Sequence, residues 1–242
     1  MKRVVILIYG LACYLAFFAT FLYAIWFVYT LDQPAEGATR PLLERLLINA
    51  GLLSVFAVQH SVMARQGFKR AWTRVIPEPA ERSTYVLLAS LALLLLIWFW
   101  QPLLSPIWTV ENPVGRTVLH GLFWLGWGIV LVGTFLIDHF DLFGLKQVWT
   151  FFGGRRYEPL AFRTPGPYKI VRHPIYVGFI TAFWSAPDMT AGHLFFAIMT
   201  TAYILVAIQL EERDLIHFYG EQYRSYRSSV CMLIPWPRKK AS

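Results

Sequence analysis

The residues best equipped for chemistry fall in one stretch, Gly166 to Tyr226. It begins G-P-Y-K-I-V-R-H-P-I-Y, passes through an apolar segment broken at Pro187-Asp188, and ends E-E-R-D-L-I-H-F-Y-G-E-Q-Y-R-S-Y. Folding the apolar segment into a hairpin brings Arg172, His173 and Tyr176 back against Glu211 and Glu212. Pro174 suits the first turn of a helix, because the N–H it lacks has no intrahelical partner there and its fixed φ is already helical. His173 then marks the helix start, where free backbone N–H groups and the positive end of the dipole favour a carboxylate or a phosphate. Across the hairpin, two adjacent carboxylates can accept from ribose hydroxyls or face an ammonium group. A ligand with an anionic end, hydroxyls and a positive charge matches both sides.

The elements that hold such a pocket must lie in a membrane. With 57% hydrophobic and 15% charged residues, the apolar ones in long runs, the chain is too apolar for a water-soluble domain. Val4 to Leu31 carries no charge, more than the roughly 20 residues needed to cross about 30 Å of hydrocarbon. It also exceeds the roughly 7 to 15 residues of a signal-peptide core, so it reads as a retained span. Further apolar stretches cover residues 46–63, 85–100 and 118–137, then a short one at 175–186 and a longer one at 191–209. The short stretch rises only about 18 Å as a helix, so the last two form a helical hairpin with one short arm. The expectation is an all-α polytopic membrane protein of five to six transmembrane helices, with residues 1–242 as a single domain. Residues 1–141 form a four-helix membrane part and residues 142–242 a part that binds a cofactor.

Charge sets the orientation. With the N-terminus inside, all 22 Lys and Arg except Arg40, Arg45 and Arg116 fall on the inner side, as expected for cytoplasm-facing loops. Both termini and both halves of the chemical stretch are then cytoplasmic, and the setting is a bacterial inner membrane. The formal +8 charge is accounted for by basic loops near anionic headgroups, and no nucleic-acid-binding motif is present. Cys13 and Cys231 have no paired spacing, which argues against a disulfide framework or a cysteine metal site. No obligate protein partner is evident.

Local signals place the ends. Asp32-Gln33-Pro34 closes the first helix, Pro77 and Pro79 stop any helix before the third span, and Ser83 or Thr84 caps that span. Gly121, Gly126, Gly128 and Gly133 let helices approach closely. Residues 142–172, rich in Gly, Arg and Pro, cannot form a span. Gly220 stops the last helix, and residues 221–229 form a short surface helix carrying Tyr223 and Tyr226.

R-H-P-x-Y preceded by G-P-Y, then a hairpin, then E-E-x-x-L-I-x-x-Y-G-x-x-Y-x-x-Y, resembles the isoprenylcysteine carboxyl methyltransferase (NnrU-like) superfamily of integral membrane methyltransferases, which use S-adenosylmethionine. Within it, H-S-V-M-A-R-Q-G-F-K-R-A-W-T-R at residues 60–74 with P-E-P-A-E-R-S-T-Y at 77–85 resembles the bacterial methanethiol S-methyltransferases, which convert methanethiol to dimethyl sulfide. The resemblance implies cofactor contacts at Leu160, Ala161, Phe162 and Arg163, at Tyr168, at His173, Pro174, Ile175 and Tyr176, and at Glu211, with Glu212 as an alternate. Four residues before the glutamate, where prenylcysteine enzymes carry an arginine for the substrate carboxylate, this chain has Ala207. That departure favours a small neutral, volatile thiol over a carboxylate substrate.

Methyl transfer to sulfur needs in-line approach of a thiolate. Asp138, His139 and Asp141 lie at the inner end of the fourth span, and His139 or Asp138 is the expected catalytic residue, His139 beside carboxylates being able to take a proton; residues at such a helix end are also commonly just solvated. His60 either lines the pocket or bonds backbone, and Glu81 and Arg82 either pair or face substrate. His120 and His193 fall near the outer surface, remote from the cofactor, and His217 reads as a packing or capping residue. Two alternatives stay open. The acceptor could be another thiol, hydrogen sulfide or an isoprenoid-type molecule. Or the chain could be a haem-binding electron carrier using His60 and His139, which leaves the paired glutamates unexplained.

Overall fold

Every apolar stretch read from the sequence is a helix in the computed structural model, which describes residues 1–31 and 40–236. In chain order the elements are α1 (Lys2–Tyr29), α2 (Leu42–Ala64), α3 (Gln66–Trp72), α4 (Glu78–Phe99), β1 (Pro106–Thr109), α5 (Pro113–Ile137), α6 (His139–Leu142) and α7 (Leu145–Phe152). A 3-10 turn (Gly166–Lys169) follows, then α8 (Pro174–Trp184), β2 (Asp188–Thr190), α9 (Ala191–Tyr219) and α10 (Glu221–Ser229). Five helices, α1, α2, α4, α5 and α9, are long and apolar enough to cross a membrane. The protein is an all-α polytopic integral membrane protein. The expected helix end at Asp32-Gln33-Pro34 and the terminal Lys239 and Lys240 lie outside the described residues.

Helix starts follow side-chain chemistry. Asn112 accepts from the Val114 and Gly115 amides at 2.9 and 3.1 Å, with Pro113 opening α5. Thr190 accepts from His193 N at 3.2 Å and caps α9. The start of α4 differs from expectation. The helix begins at Glu78 and runs through Pro79, because a proline in the first turn lacks only an N–H that had no partner. Ser83 and Thr84 are therefore not caps: the Thr84 hydroxyl bonds back to Ala80 O at 2.9 Å, and Ser83 reaches Gly144 O at 3.4 Å.

Packing fixes where α8 sits. A Cβ on Gly126 of α5 would lie 2.6 Å from Gly178 O and 2.7 Å from Ala182 N, and one on Gly133 would lie 2.6 Å from the Ile175 side chain. These two glycines let α8 lie against α5, whereas Gly121 and Gly128 meet nothing within 4 Å. The interior is aromatic and aliphatic, with Val28, Leu96, Phe123, Trp127 and Phe196 all buried. On the other side α7 folds back on α1, and Val148, fully buried, fills the space that Gly10 leaves. The boundary expected at 141 falls inside α6.

The short arm is completed by extended chain. As a helix α8 rises about 16 Å, and β2 then pairs antiparallel with β1 at the opposite pole of the bundle. Trp108 Nε1 donates to Ala186 O at 3.1 Å, Val110 N donates to Pro187 O at 2.9 Å, and Arg116 pairs with Asp188 at 2.6 Å. This ladder was not expected from the sequence. Its cause is general: backbone N–H and C=O groups need hydrogen-bond partners, and these two extended segments supply them to each other.

Candidate active site

The hairpin closes as its polar ends require. Arg172 and His173, both buried, meet Glu212, which is 2% exposed. Arg172 Nε and His173 Nε2 donate to Glu212 Oε1 at 2.7 and 3.1 Å, and Arg227 Nε of α10 lies 2.9 Å from Oε2. Three basic side chains from two segments thus converge on one carboxylate. Arg172 does more, since its Nη1 donates to Arg227 O and Val230 O, and its backbone N–H donates to Cys231 O at 2.8 Å. With His173 N donating to Met232 O at 3.2 Å, the chain after α10 is stitched to the start of α8.

Glu211 is placed differently. Its side chain is 43% exposed, and Tyr176 OH donates to its Oε2 at 2.9 Å. At the start of α8 the amides of Ile175 and Tyr176 have no partner among the described residues, as expected of a helix first turn. Expectation and structure part over Glu212: it is spent on Arg172, His173 and Arg227, whereas Glu211 keeps an accessible oxygen.

The remaining expected cofactor residues gather at the same pole. Tyr219 OH donates to Leu160 O at 3.0 Å, Phe162 packs on Tyr219, Tyr223 and Tyr226 with ring centroids 5.2 to 5.9 Å apart, and Arg163 donates to Ile137 O. Ala161 is exposed between them. Tyr168 is buried, with its carbonyl accepting from Tyr226 OH. One residue here was noted in the sequence only as part of a surface helix. Tyr223 is 2% exposed, its hydroxyl has no partner among the described residues, and it lies within electrostatic reach of Glu212 and Glu211. Burial pushes its phenol well up, so it remains a donor. Its position in Y-G-x-x-Y-x-x-Y is the signal that could have singled it out.

Asp138 and His139 sit in a separate environment. His139 is buried, with Nε2 2.8 Å from Tyr14 OH, Nδ1 2.9 Å from Thr134 Oγ1, and its ring stacked on Phe135 at 4.3 Å. Asp138 accepts from Lys146 Nζ at 2.7 Å and from the Asp141 amide at 3.1 Å. Both ring nitrogens of His139 are thus engaged.

His60 has a different neighbourhood. Tyr85 OH lies 3.1 Å from its Nδ1 and 3.0 Å from its Nε2, Phe56 stacks on the ring at 5.4 Å, and Arg82 Cζ lies 5.0 Å over the Tyr85 ring. Arg82 does not pair with Glu81; its Nε donates to Leu142 O at 2.8 Å. His60 and His139 are committed to different partners. His120 and His193 are at the opposite pole, lining a cavity of about 190 Å³ with Tyr29 and Arg116, and His217 is exposed on α9.

Near-full-length similarity to curated proteins accompanies this geometry. The chain is 54% identical to methanethiol S-methyltransferase of Mycobacterium tuberculosis, covering 99% of each. It is 52% identical to methanethiol S-methyltransferase of Crocosphaera subtropica, covering 100% of this chain and 96% of that protein. Nurim of Homo sapiens is 32% identical over 76% of this chain and 73% of its own. No family model matches the chain, and no solved structure matches it significantly.

Proposed function

This chain belongs to the methanethiol S-methyltransferase family, and from that membership we propose that it transfers the methyl group of S-adenosylmethionine to methanethiol, giving dimethyl sulfide. The observation that carries the donor is the pairing of an accessible Glu211 with the unpartnered Ile175 and Tyr176 amides and the orphaned Tyr223 hydroxyl. Together they offer an acceptor for ribose hydroxyls or an ammonium, donors for a carboxylate, and one more donor. That set fits a zwitterionic nucleoside.

When bound, the donor supplies an electrophilic methyl group on a positive sulfonium. The protein's residues do the rest. Ile175 and Tyr176 would hold the anionic end through their amides, with Pro174 fixing the helix start and His173 bonded to Glu212. Glu211, oriented by Tyr176, takes the hydroxyl or ammonium side. Leu160, Ala161, Phe162, Arg163 and Tyr168 would line the remaining side of the donor. Ala207 leaves space where a cation would otherwise select a carboxylate. Asp138 and His139 position the turn from α5 to α7: with Nδ1–H donating to Thr134, His139 would have to turn the Tyr14 hydroxyl away from Nε2 to take a proton.

We place both termini and this site on the cytoplasmic side of a bacterial inner membrane, on the strength of the basic loops at this pole, and treat residues 1–242 as one domain. The test uses the purified chain in lipid nanodiscs with methyl-labelled S-adenosylmethionine and methanethiol. Labelled dimethyl sulfide is the expected product. No labelled product from methanethiol sinks the proposal, and faster labelling of hydrogen sulfide or a longer thiol reassigns the acceptor.

A further inference from the structure

Methanethiol is mostly protonated at neutral pH, and a thiol is a far poorer nucleophile than its thiolate. We infer that His60 accepts the thiol proton, at the far end of a side-chain stripe of α9 that begins at Glu211. This rests on the methyltransferase reading above.

The stripe follows from the spacing along α9. Tyr203, Ala207 and Glu211 recur every four residues, so they share a stripe along the helix. At one end of the stripe Tyr176 of α8 bonds Glu211. At the other, Tyr203 OH meets Ser61 Oγ at 3.1 Å, and the Tyr203 ring meets Phe56 at 6.4 Å. Ser61 is the residue after His60, and Phe56 is the ring on which His60 stacks. The stripe therefore runs from the donor site to His60, and its midpoint is the small Ala207. Tyr176 lies within electrostatic reach of both Tyr203 and Tyr85, so α8 brings a third tyrosine near the stripe.

His60 is equipped for the task. Tyr85 OH sits about equally far from the two ring nitrogens and donates to His60 O at 3.4 Å, so its oxygen can accept from one ring N–H and leave the lone pair of the other nitrogen to a ligand. The ionisable groups that face the ring are Tyr85 and Arg82 of α4 and Arg65 at the end of α2, with Tyr203 of α9 beside Tyr85. The two cations stand where they favour a thiolate beside the ring. Arg65 is itself held by Asp214 at 2.8 Å and by Ser61 O and Leu210 O, so the positive charge is fixed in place. In the reaction the S–H proton passes to the free ring nitrogen. A sulfur lone pair forms the new bond to the methyl carbon as the sulfonium C–S bond breaks, that bond's electrons staying on the departing thioether. The proton then leaves to water, so thiol plus sulfonium becomes two thioethers and one proton.

The experiment compares wild type and His60→Gln in nanodiscs, measuring S-adenosylhomocysteine affinity and kcat/KM for methanethiol and for the more acidic trifluoroethanethiol. His60→Gln is expected to lower kcat/KM for methanethiol at pH 7 by about 100-fold or more. Its cofactor affinity should stay within about threefold, and the acidic thiol should restore its rate to within about tenfold. The inference is overturned if the variant keeps wild-type turnover, or loses both thiols equally. A second measurement needs no variant: a wild-type rate rising tenfold per pH unit from pH 6 to 8, in step with the free thiolate, also overturns it. If wild type methylates neither thiol, the enzyme assignment has failed instead.

Discussion

Removing the Glu212 carboxylate should cost stability first and cofactor binding only as a result. In Glu212→Ala, Arg172 loses a charge-assisted bond of 2.7 Å and His173 one of 3.1 Å, while both stay buried. Arg172 retains only carbonyl partners on its Nη1, those of Arg227 and Val230. Breaking a buried pair by removing one partner costs about 3 to 5 kcal/mol, because the other charge is left uncompensated. Arg227 adds little, under about 1 kcal/mol, since its side chain is 46% exposed and turns to water. A loss of about 3 to 5 kcal/mol is a large share of a typical stability of about 5 to 15 kcal/mol. The assay is the unfolding half-life in nanodiscs followed by tryptophan fluorescence, with S-adenosylhomocysteine affinity measured well below the melting range. Glu211→Ala is the control, expected to weaken the ligand about tenfold or more through loss of an ionic hydrogen bond, with an unfolding half-life near wild type. A Glu212→Ala protein that unfolds like wild type yet no longer binds the ligand would refute the division between the two carboxylates.

Tyr223→Phe should weaken S-adenosylhomocysteine by about 2- to 10-fold, the worth of one neutral hydrogen bond, without loss of thermal stability, since the hydroxyl has no partner in the protein; isothermal calorimetry measures it, and an unchanged affinity counts against a ligand contact. Gly126→Ala should destabilise by about 1 to 3 kcal/mol, because its Cβ meets the α8 backbone at 2.6 Å. Gly128→Ala, with open space around it, should be neutral or stabilising, and equal melting of the two variants would contradict the packing. Burial raises the Asp138 carboxyl, but Lys146 and the Asp141 amide outweigh it and hold the group below the usual carboxylate range. A lowered folded value means that its contribution is complete above about pH 4 and is lost as pH falls through the folded value. Asp138→Asn should therefore lower the melting point slightly at pH 7, by under about 1 kcal/mol for so exposed a pair, and the difference should vanish in acid.

What the sequence made legible was whatever depends on neighbours along the chain. Pro174 after His173, the apolar runs, and the stop at Gly220 all rest on local backbone rules, and each element stands where those rules put it. The β1–β2 ladder was invisible because Asp188–Thr190 becomes a strand only when Pro106–Thr109 is there to pair with it. The same limit applies to Glu211 and Glu212. Adjacent residues on a helix point about 100° apart, and which one turns inward depends on the phase of α9 against α8, not on either residue. His60 and His139 were both placed at this pole from sequence, yet only three-dimensional packing distinguishes an imidazole with both nitrogens engaged from one that shares a single hydroxyl.

The arrangement also explains how a polar site is held firmly in an apolar bundle. Free amides at Ile175 and Tyr176 are useful to a ligand only if α8 cannot shift, and the clearance at Gly126 and Gly133 locks that helix to α5 at backbone distance. The start of α8 is then fixed from the other side by Arg172, whose partners span α9, α10 and the segment after it. Glu212 carries this structural burden, which frees its neighbour Glu211 to face a ligand. The donor side of the site is thus built by the hairpin and its tail, while α2 and α4 contribute His60 and Tyr85 from outside it. A change of acceptor would call for substitutions along the stripe of Tyr203 and Ala207, leaving the carboxylates and α8 untouched.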